Sequence, residues 1–538
     1  MRGIVVCVHP RASEEGAKIL ESGGNAFDAA IATAFVQMVT LPFSCGVGGM
    51  MSAHLLAPYK DEHVIIDGCL RAGSRVSSTM WADDYLGEAE VSGSSLFADL
   101  RSTMGYTSIC TPGSVAALGE IHREFSTMPW EELVEPAIRI AKNGFLVTPE
   151  YKRALNKGKS NPYEPNTRKS VKSNGAGAKL FLDANHNSPA EGELIRNPDY
   201  ANTLEQIATK GPSEFYRGEL ASIISDDLYG NGSFVTADDL AEYKTTRYQP
   251  LSTAYGDYQV FSNSAPGAGP LLIEALNVLD GLDISSFKHG GVEYLHYIAS
   301  TLKLVNQDRI DYLGDPEVIG NRSLDIILSE ERASEICSMV KNDMVGNPRA
   351  HGEGPDTTHL TVVDELGNAA SITHSLGTVS GVVTPGLGFV YNNGMNRFDP
   401  RPGRASSIAP RKARLHLMMP SLAFQNGKLA MAFGAPGGNA ILSALTQVFT
   451  NIVDFGMSAM EAVSAARIHA EGSNVWCEAR TPTGVVESLR RLGHGVIHEA
   501  SSLSERNARA QFVVIDSDMN FDGASDPRGS MGVSNSEV

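Results

Sequence analysis

The sequence predicts a layered α/β protein, on three observations. Helical segments stopped by Gly or Pro alternate with short apolar strands, this alternation runs on both sides of a hydroxyl-rich hairpin at 357–373, and no internal repeat is visible. Residues 12 to 40 read as two helices, the first stopped by Gly23-Gly24 and the second, rich in alanine, ended at Pro42. Small side chains there suit close packing on a sheet, which assigns the stretch to the core. Residues 151 to 179 break the pattern. Lys152, Arg153, Lys157, Lys159, Arg168, Lys169, Lys172 and Lys179 face only Glu164 among Asn, Pro and Gly, which predicts a basic, exposed, loop-like insertion, with steering of an anionic ligand as the alternative. Thr236-Ala237-Asp238-Asp239 and Ser458-Ala459-Met460-Glu461 read as capping boxes whose hydroxyls serve backbone amides. Apolar strands are predicted at 258–261, 428–433 and 511–515, and a helix at 440–449.

Composition narrows the function classes. The 538 residues, 42% hydrophobic, can bury a large core. Lys plus Arg total 44 against 62 Asp plus Glu, a net charge of −18, which argues against nucleic acid or an anionic membrane as partner. No run of about 20 apolar residues exists to span a bilayer. The start Met1-Arg2-Gly3-Ile4-Val5-Val6-Cys7 leaves no room for a secretory signal ahead of the first helix, so a cytoplasmic location is expected unless the true start lies upstream. Cys7, Cys45, Cys69, Cys110, Cys337 and Cys477 are scattered without CxxC spacing, which predicts reduced, mostly buried thiols. The pairs His289/His296 and His494/His498 have no thiol or carboxylate companions at ligand spacing. No metal or cofactor is therefore expected.

The chemistry concentrates at Asp356-Thr357-Thr358-His359-Leu360-Thr361-Val362-Val363-Asp364 and the return Gly367-Asn368-Ala369-Ala370-Ser371-Ile372-Thr373. Thr357 falls where an alternating strand begins. Cutting the bond before it would create a hydroxyl nucleophile with its own α-amine as base, titrating near pH ~8. A Thr-rich hairpin edge is the plain alternative. Gly437-Gly438 sits between an apolar strand and a helix start, where backbone N–H groups project with no side chain to block a substrate, as an oxyanion hole requires. A simple strand-to-helix turn would look the same.

Thr357-Thr358-His359-x-x-Val362-Val363-Asp364-x-x-Gly367-Asn368-Ala369 resembles the processing site of the γ-glutamyltransferase family of self-cleaving N-terminal-nucleophile hydrolases. The likeness continues in family order through His9-Pro10-x-Ala12-Ser13, Gly23-Gly24-Asn25-Ala26-x-Asp28, Cys45-Gly46-Val47-Gly48-Gly49, Thr111-Pro112-Gly113-Ser114, Ser264-Ala265-Pro266-Gly267, Gly434-Ala435-Pro436-Gly437-Gly438 and Ser525-Asp526-Pro527-Arg528. The resemblance implies an αββα sandwich of two stacked antiparallel sheets between helical layers. It implies a large piece, 1–356, and a small catalytic piece, 357–538, that form one composite domain and stay together as a heterodimer, itself able to pair again. It also implies catalytic roles for Thr357, for Ser375 as the hydroxyl that holds the nucleophile, and for the Gly437 and Gly438 amides.

The acyl-gripping positions depart from the family's pattern. Asp67-Gly68-Cys69-Leu70-Arg71 puts Cys69 where the family has its carboxylate-binding Arg, and displaces Arg71 by two residues. His416-Leu417 stands for a serine pair, Gly377 for a polar ligand, and Arg397, four residues after Asn393, for an amine-binding Asp. A cation at Arg397 repels an ammonium and favours an anion, although a surface Arg in a shortened loop remains the other reading. The expected activity is hydrolysis or transfer of a small acyl amide, one lacking the standard γ-glutamyl group, to water or an amine. Candidate substrate contacts are Arg397, Asn393, Arg71 and His416. The alternatives are a true γ-glutamyl enzyme with a rebuilt pocket and a catalytically silent, ligand-binding relative.

Overall fold

The computed structural model describes residues 1–88, 95–156, 166–344 and 357–536. Two antiparallel sheets form its middle. The first runs, in spatial order, Gly532–Ser536, Gly3–Cys7, Thr357–Asp364, Ala369–Ser375, Met50–Ala57, Glu62–Gly68 and Thr246–Tyr248. The second runs Phe521–Ser525, Gln511–Ile515, Lys428–Gly434, Ser421–Gln425, Tyr258–Ser262 and Leu251–Tyr255. Their facing sides pack Ile4, Val6, Val363, Leu422, Ala432 and Val513 into a thin inner layer. Each sheet mixes strands from before and after residue 357, so the chain on the two sides of that point makes one composite unit.

Helices cover both outer faces. Pro10–Glu21, Ala26–Thr40 and Ser114–Phe125 pack on the seven-stranded sheet, with Phe27, Phe35, Leu360 and Ile372 in the shared core, and Trp130–Asn143 packs against Ala26–Thr40. Gly269–Asp280 and Ala440–Val453 pack on the six-stranded sheet through Leu272, Phe433, Phe449 and Phe512, and Val292–Tyr312 packs against Gly269–Asp280. This is the expected αββα sandwich. All 15 residues of Ala26–Thr40 are buried, and its alanines let the neighbouring helix approach so closely that a Cβ on Gly16 would fall 2.2 Å from Thr33 Oγ1. Asn25 caps it, and its carboxamide oxygen accepts from the amides of Phe27 and Asp28 while Asp28 reciprocates to the Asn25 amide.

The capping boxes at Thr236 and Ser458 form as expected, and the strands predicted at 258–261, 428–433 and 511–515 and the helix predicted at 440–449 are present with small extensions. The stretch 151–179 corrects the sequence reading. Its described part is helical, at Pro149–Asn156, Thr167–Lys172 and Gly175–Phe181, whereas Lys157, Lys159 and Glu164 lie outside the described residues. Tyr151, Leu155, Val171, Ala178 and Phe181 form one apolar face on Phe43, Leu376 and Val379, while Arg168, Lys169, Lys172 and Lys179 stay exposed. Sparse apolar residues among many cations hid a helical period. The segment braces the loop that leaves Ser375. All six cysteines are free thiols and only Cys337 is partly exposed. No described helix is long and apolar enough to cross a membrane.

Candidate active site

Thr357 opens its strand and pairs directly with Ser375, the last residue of the return strand. The two hydroxyl oxygens lie 3.0 Å apart, and the Gly377 amide donates to Ser375 Oγ at 2.9 Å. Thr357 retains 4% of its exposure while Ser375 has none. Strand alternation sends Thr357 and His359 toward the inner layer and Thr358 toward the helices. There Gln37 Nε2 donates to Thr358 Oγ1 at 3.0 Å, and Gln37 Oε1 accepts from His374 Nε2 at 2.8 Å. Thr358 is therefore tied to the helical layer, and the two threonines of the motif are not equivalent.

His359 bridges Thr373 Oγ1 at 2.8 Å and Thr361 Oγ1 at 2.9 Å. Burial, with His374 close by, lowers its pKa to about 3, so it is a neutral structural imidazole near pH 7.

Gly437 and Gly438 link the strand Lys428–Gly434 to the helix Ala440–Val453. Their φ values, +149° and +58°, belong to glycine. A Cβ on Gly437 would meet the Ala508 Cβ at 2.3 Å. Their carbonyls accept from Ala440 and Ile441 and start the helix, whose leading N–H groups have no acceptor within it. Asn439, the next residue, donates from Nδ2 to Glu471 Oε1. Glu471 also accepts from Arg309 Nη2 at 3.3 Å and meets His469 Nε2 at 3.3 Å. Nothing in the sequence pattern pointed to this Asn439–Glu471–Arg309 tie.

The acyl-side candidates separate in space. Asn393 Nδ2 donates to Thr103 O at 3.0 Å and to Thr378 Oγ1, and its Oδ1 would lie 2.9 Å from a Cβ on Gly377. The missing side chain at Gly377 is what lets Asn393 approach the turn after Ser375. Arg397 ends the turn Gly394–Arg397 and lines a cavity of about 340 Å³ with Arg309, Asn396, Leu415 and Leu417. That cavity therefore touches the Asn393 loop on one side and, through Arg309 and Glu471, the residue after the glycine pair on the other. Arg71 lies elsewhere. It bonds Glu317 Oε2 at 3.1 Å, the Arg411 carbonyl and Thr246 Oγ1, and lines a second cavity that shares no residue with the first. His416 is buried against Cys69, with Nε2 3.5 Å from Sγ.

Sequence reasoning missed Arg414. It is fully buried, its Nη1 sits 3.5 Å from Met50 Sδ, and its Nη2 would be 3.5 Å from a Cβ on Gly377. Met50 pairs with Ser375, so this guanidinium flanks the Thr357–Ser375 pair. Burial lowers its pKa to about 10, which leaves it cationic at neutral pH. An Arg embedded among apolar residues, with Leu415, Leu417, Met418 and Met419 following, was the available signal.

Comparison with known proteins agrees with this architecture. The gamma-glutamyltranspeptidase family model matches residues 12–536. The acylase ACY 1 proenzyme of Pseudomonas sp. (strain V22) is 34% identical over 519 residues, covering 95% of this chain and 90% of the relative. The glutathione hydrolase proenzyme of Escherichia coli (strain K12) is 30% identical over 551 residues, covering 98% and 90%. Among solved structures, cephalosporin acylase from Bacillus halodurans superposes with a TM-score of 0.86 at 28% identity, covering 99% of this chain and 95% of that one. Helicobacter pylori gamma-glutamyltranspeptidase superposes with a TM-score of 0.55 at 29% identity, covering 62% and 90%. The chain belongs to the gamma-glutamyltranspeptidase family, whose members are self-processing N-terminal-nucleophile hydrolases acting on amide bonds by hydrolysis or acyl transfer.

Proposed function

We propose that Thr357 is the nucleophile of an acylase-type amidohydrolase, released by cutting the Asp356–Thr357 bond, and that its substrates carry a small anionic acyl group. The observation that carries this reading is the 3.0 Å approach of the Thr357 and Ser375 hydroxyls at the head of the central strand. Asp356 itself lies outside the described residues. Once freed, the Thr357 α-amine takes the proton from Oγ1 as that oxygen attacks the acyl carbonyl. The Gly437 and Gly438 amides hold the oxyanion, the leaving amine takes the proton, and water or a second amine resolves the ester. Ser375, fixed by the Gly377 amide, keeps the threonine side chain in one orientation.

The acyl specificity rests on charge. Arg397 lines the cavity beside the site and Arg414 flanks Ser375 from beneath. Two guanidinium groups favour a carboxylate and disfavour the ammonium of a γ-glutamyl group. That a relative 34% identical is named an acylase supports this choice. The small piece, 357–538, stays bound to 1–356 as a heterodimer through the shared sheets.

Two measurements test the reading. Denaturing electrophoresis with N-terminal sequencing should show pieces of 356 and 182 residues (538 − 356), the smaller starting at Thr357, and an uncut Thr357→Ala chain. A cut before Thr358, or full activity in an uncut chain, would discard the assignment. Comparison of kcat/KM for a γ-glutamyl anilide and the matched anilide without the α-amine should favour the second; preference for the first would return a γ-glutamyl activity.

A further inference from the structure

Two of the positions that depart from the family pattern, Cys69 and His416, meet in space although 347 residues separate them. Asp67 joins them, and one ligand-type atom from each of the three lies within 4.8 Å of the other two. All three residues are at most 2% exposed. The 3.5 Å between Cys69 Sγ and His416 Nε2 is the edge of a tetrahedron around zinc, whose bonds of about 2.3 Å to sulfur and about 2.0 Å to nitrogen set those atoms about 3.5 Å apart.

The carboxylate supplies the second observation. The Asp67 carboxylate is held by the Tyr248 hydroxyl on Oδ2 and by the neighbouring Ser52 hydroxyl, yet its buried Oδ1 has no partner in hydrogen-bonding geometry. A buried carboxylate oxygen left bare is costly, and a cation is one of the few groups that satisfies it. Charge balances too: one carboxylate, one thiolate and one neutral imidazole around a divalent ion make a neutral unit that burial does not penalise as a bare charge. The other charged groups facing the thiol and the imidazole are Arg71, Arg414, Asp315 and Glu317.

The site has a rigid base. Asp67 lies in the strand Glu62–Gly68 and pairs with Ser52, whose hydroxyl accepts from Asn263 Nδ2 at 3.1 Å. Thr357 pairs with Ser375, Ser375 with Met50, and Met51 with Gly68, so the cluster lies at the Thr357 end of the sheet, three strands along.

We propose that the Asp67 carboxylate, Cys69 Sγ and His416 Nε2 bind one divalent, borderline-soft metal ion, zinc by the ligand set, with the fourth tetrahedral position open. Binding replaces the thiol proton, which passes to solvent, and leaves the imidazole proton on Nδ1. Nothing in this site depends on Thr357 as nucleophile, so the two readings stand or fall separately.

The test is a cobalt(II) titration of chelator-treated full-length protein, followed by absorbance and competed with zinc(II). One equivalent should produce an intense near-ultraviolet thiolate-to-cobalt band and the visible bands of tetrahedral cobalt. Cys69→Ser should remove the near-ultraviolet band and weaken binding by more than about 100-fold, beyond the loss typical of an outer partner. His416→Gln should weaken binding comparably, and Cys110→Ser, which alters another buried thiol, should leave it unchanged. Wild-type protein, folded by circular dichroism, that binds no equivalent of cobalt overturns the proposal without any variant. So does octahedral cobalt alone, or binding that survives Cys69→Ser.

Discussion

The imidazole of His359 occupies the space that a side chain on Gly434 would need: a Cβ built on Gly434 falls 2.2 Å from its Cε1 and 2.6 Å from its Nδ1. The first residue belongs to the seven-stranded sheet and the second to the six-stranded sheet, so this pair sets how closely the two layers approach near Thr357. Gly434→Ala should therefore push the ring off Thr373 and Thr361 and cost about 1–3 kcal/mol, as overpacking does. Thermal unfolding checks it. His359→Ala in the same chain should recover part of the loss, and equal midpoints for Gly434→Ala and wild type would show that the layers yield freely.

Gly438→Val places a branched side chain at φ +58°, where it both strains the backbone and covers the approach to the amides. Turnover of correctly processed protein should fall by roughly 10²-fold, the scale of losing one oxyanion donor. Unchanged turnover would put the oxyanion hole elsewhere.

Arg397→Asp reverses the charge on the cavity wall. KM for an anionic acyl amide should rise by about 10-fold or more, the worth of a charge-assisted hydrogen bond, while self-cleavage proceeds. An unaltered KM would remove Arg397 from the binding site and leave Arg414 as the cation to examine.

Acid should act in two stages. Burial lowers the His359 and His374 pKa values from 6.5 to about 3, with His374 adding to the effect on His359. A folded-state value below the unfolded one means the stabilisation is complete above pH 6.5 and fades as pH falls toward 3. Burial alone would raise Glu478, but pairing with Arg528 and the Ser504 amide outweighs it and holds the carboxyl at about 2, against 4.5 for an unperturbed one. Its contribution, roughly 3 kcal/mol, is present above pH 4.5 and fades between 4.5 and 2. The thermal midpoint should hold near neutrality, decline below 6.5 and drop faster below 4.5. A flat profile from pH 7 to 5 would contradict the first stage.

Much of the fold was legible because helix stops and caps are local: Gly23-Gly24, Thr236 with Asp239, and Ser458 with Glu461 each act within a few residues. The layering was harder to see. All eight residues of Thr357–Asp364 are buried, yet their alternation of polar and apolar side chains reads as a half-exposed strand. The polar face is a hydrogen-bonded layer between sheets, with His359 spanning Thr373 and Thr361. The place of Thr357 at the head of its strand and of the glycine pair between strand and helix could be read because both sit in contiguous motifs. Gln37, Glu471 and the Asp67–Cys69–His416 cluster could not, and Arg414 showed only as a cation beside apolar residues, because their partners are remote in sequence and meet only after the sheets assemble.

The strand Thr357–Asp364 lies between Gly3–Cys7 and Ala369–Ser375. A cut at its head would therefore leave a new chain end in the middle of a sheet whose neighbours come from both pieces. Folding has to come first, since only the assembled ladder sets Ser375 against Thr357. Cutting there would then erase the connection that guided the strand to its slot. The mature protein would be durable without being renewable, its lifetime set by the rate at which the sheet first opens.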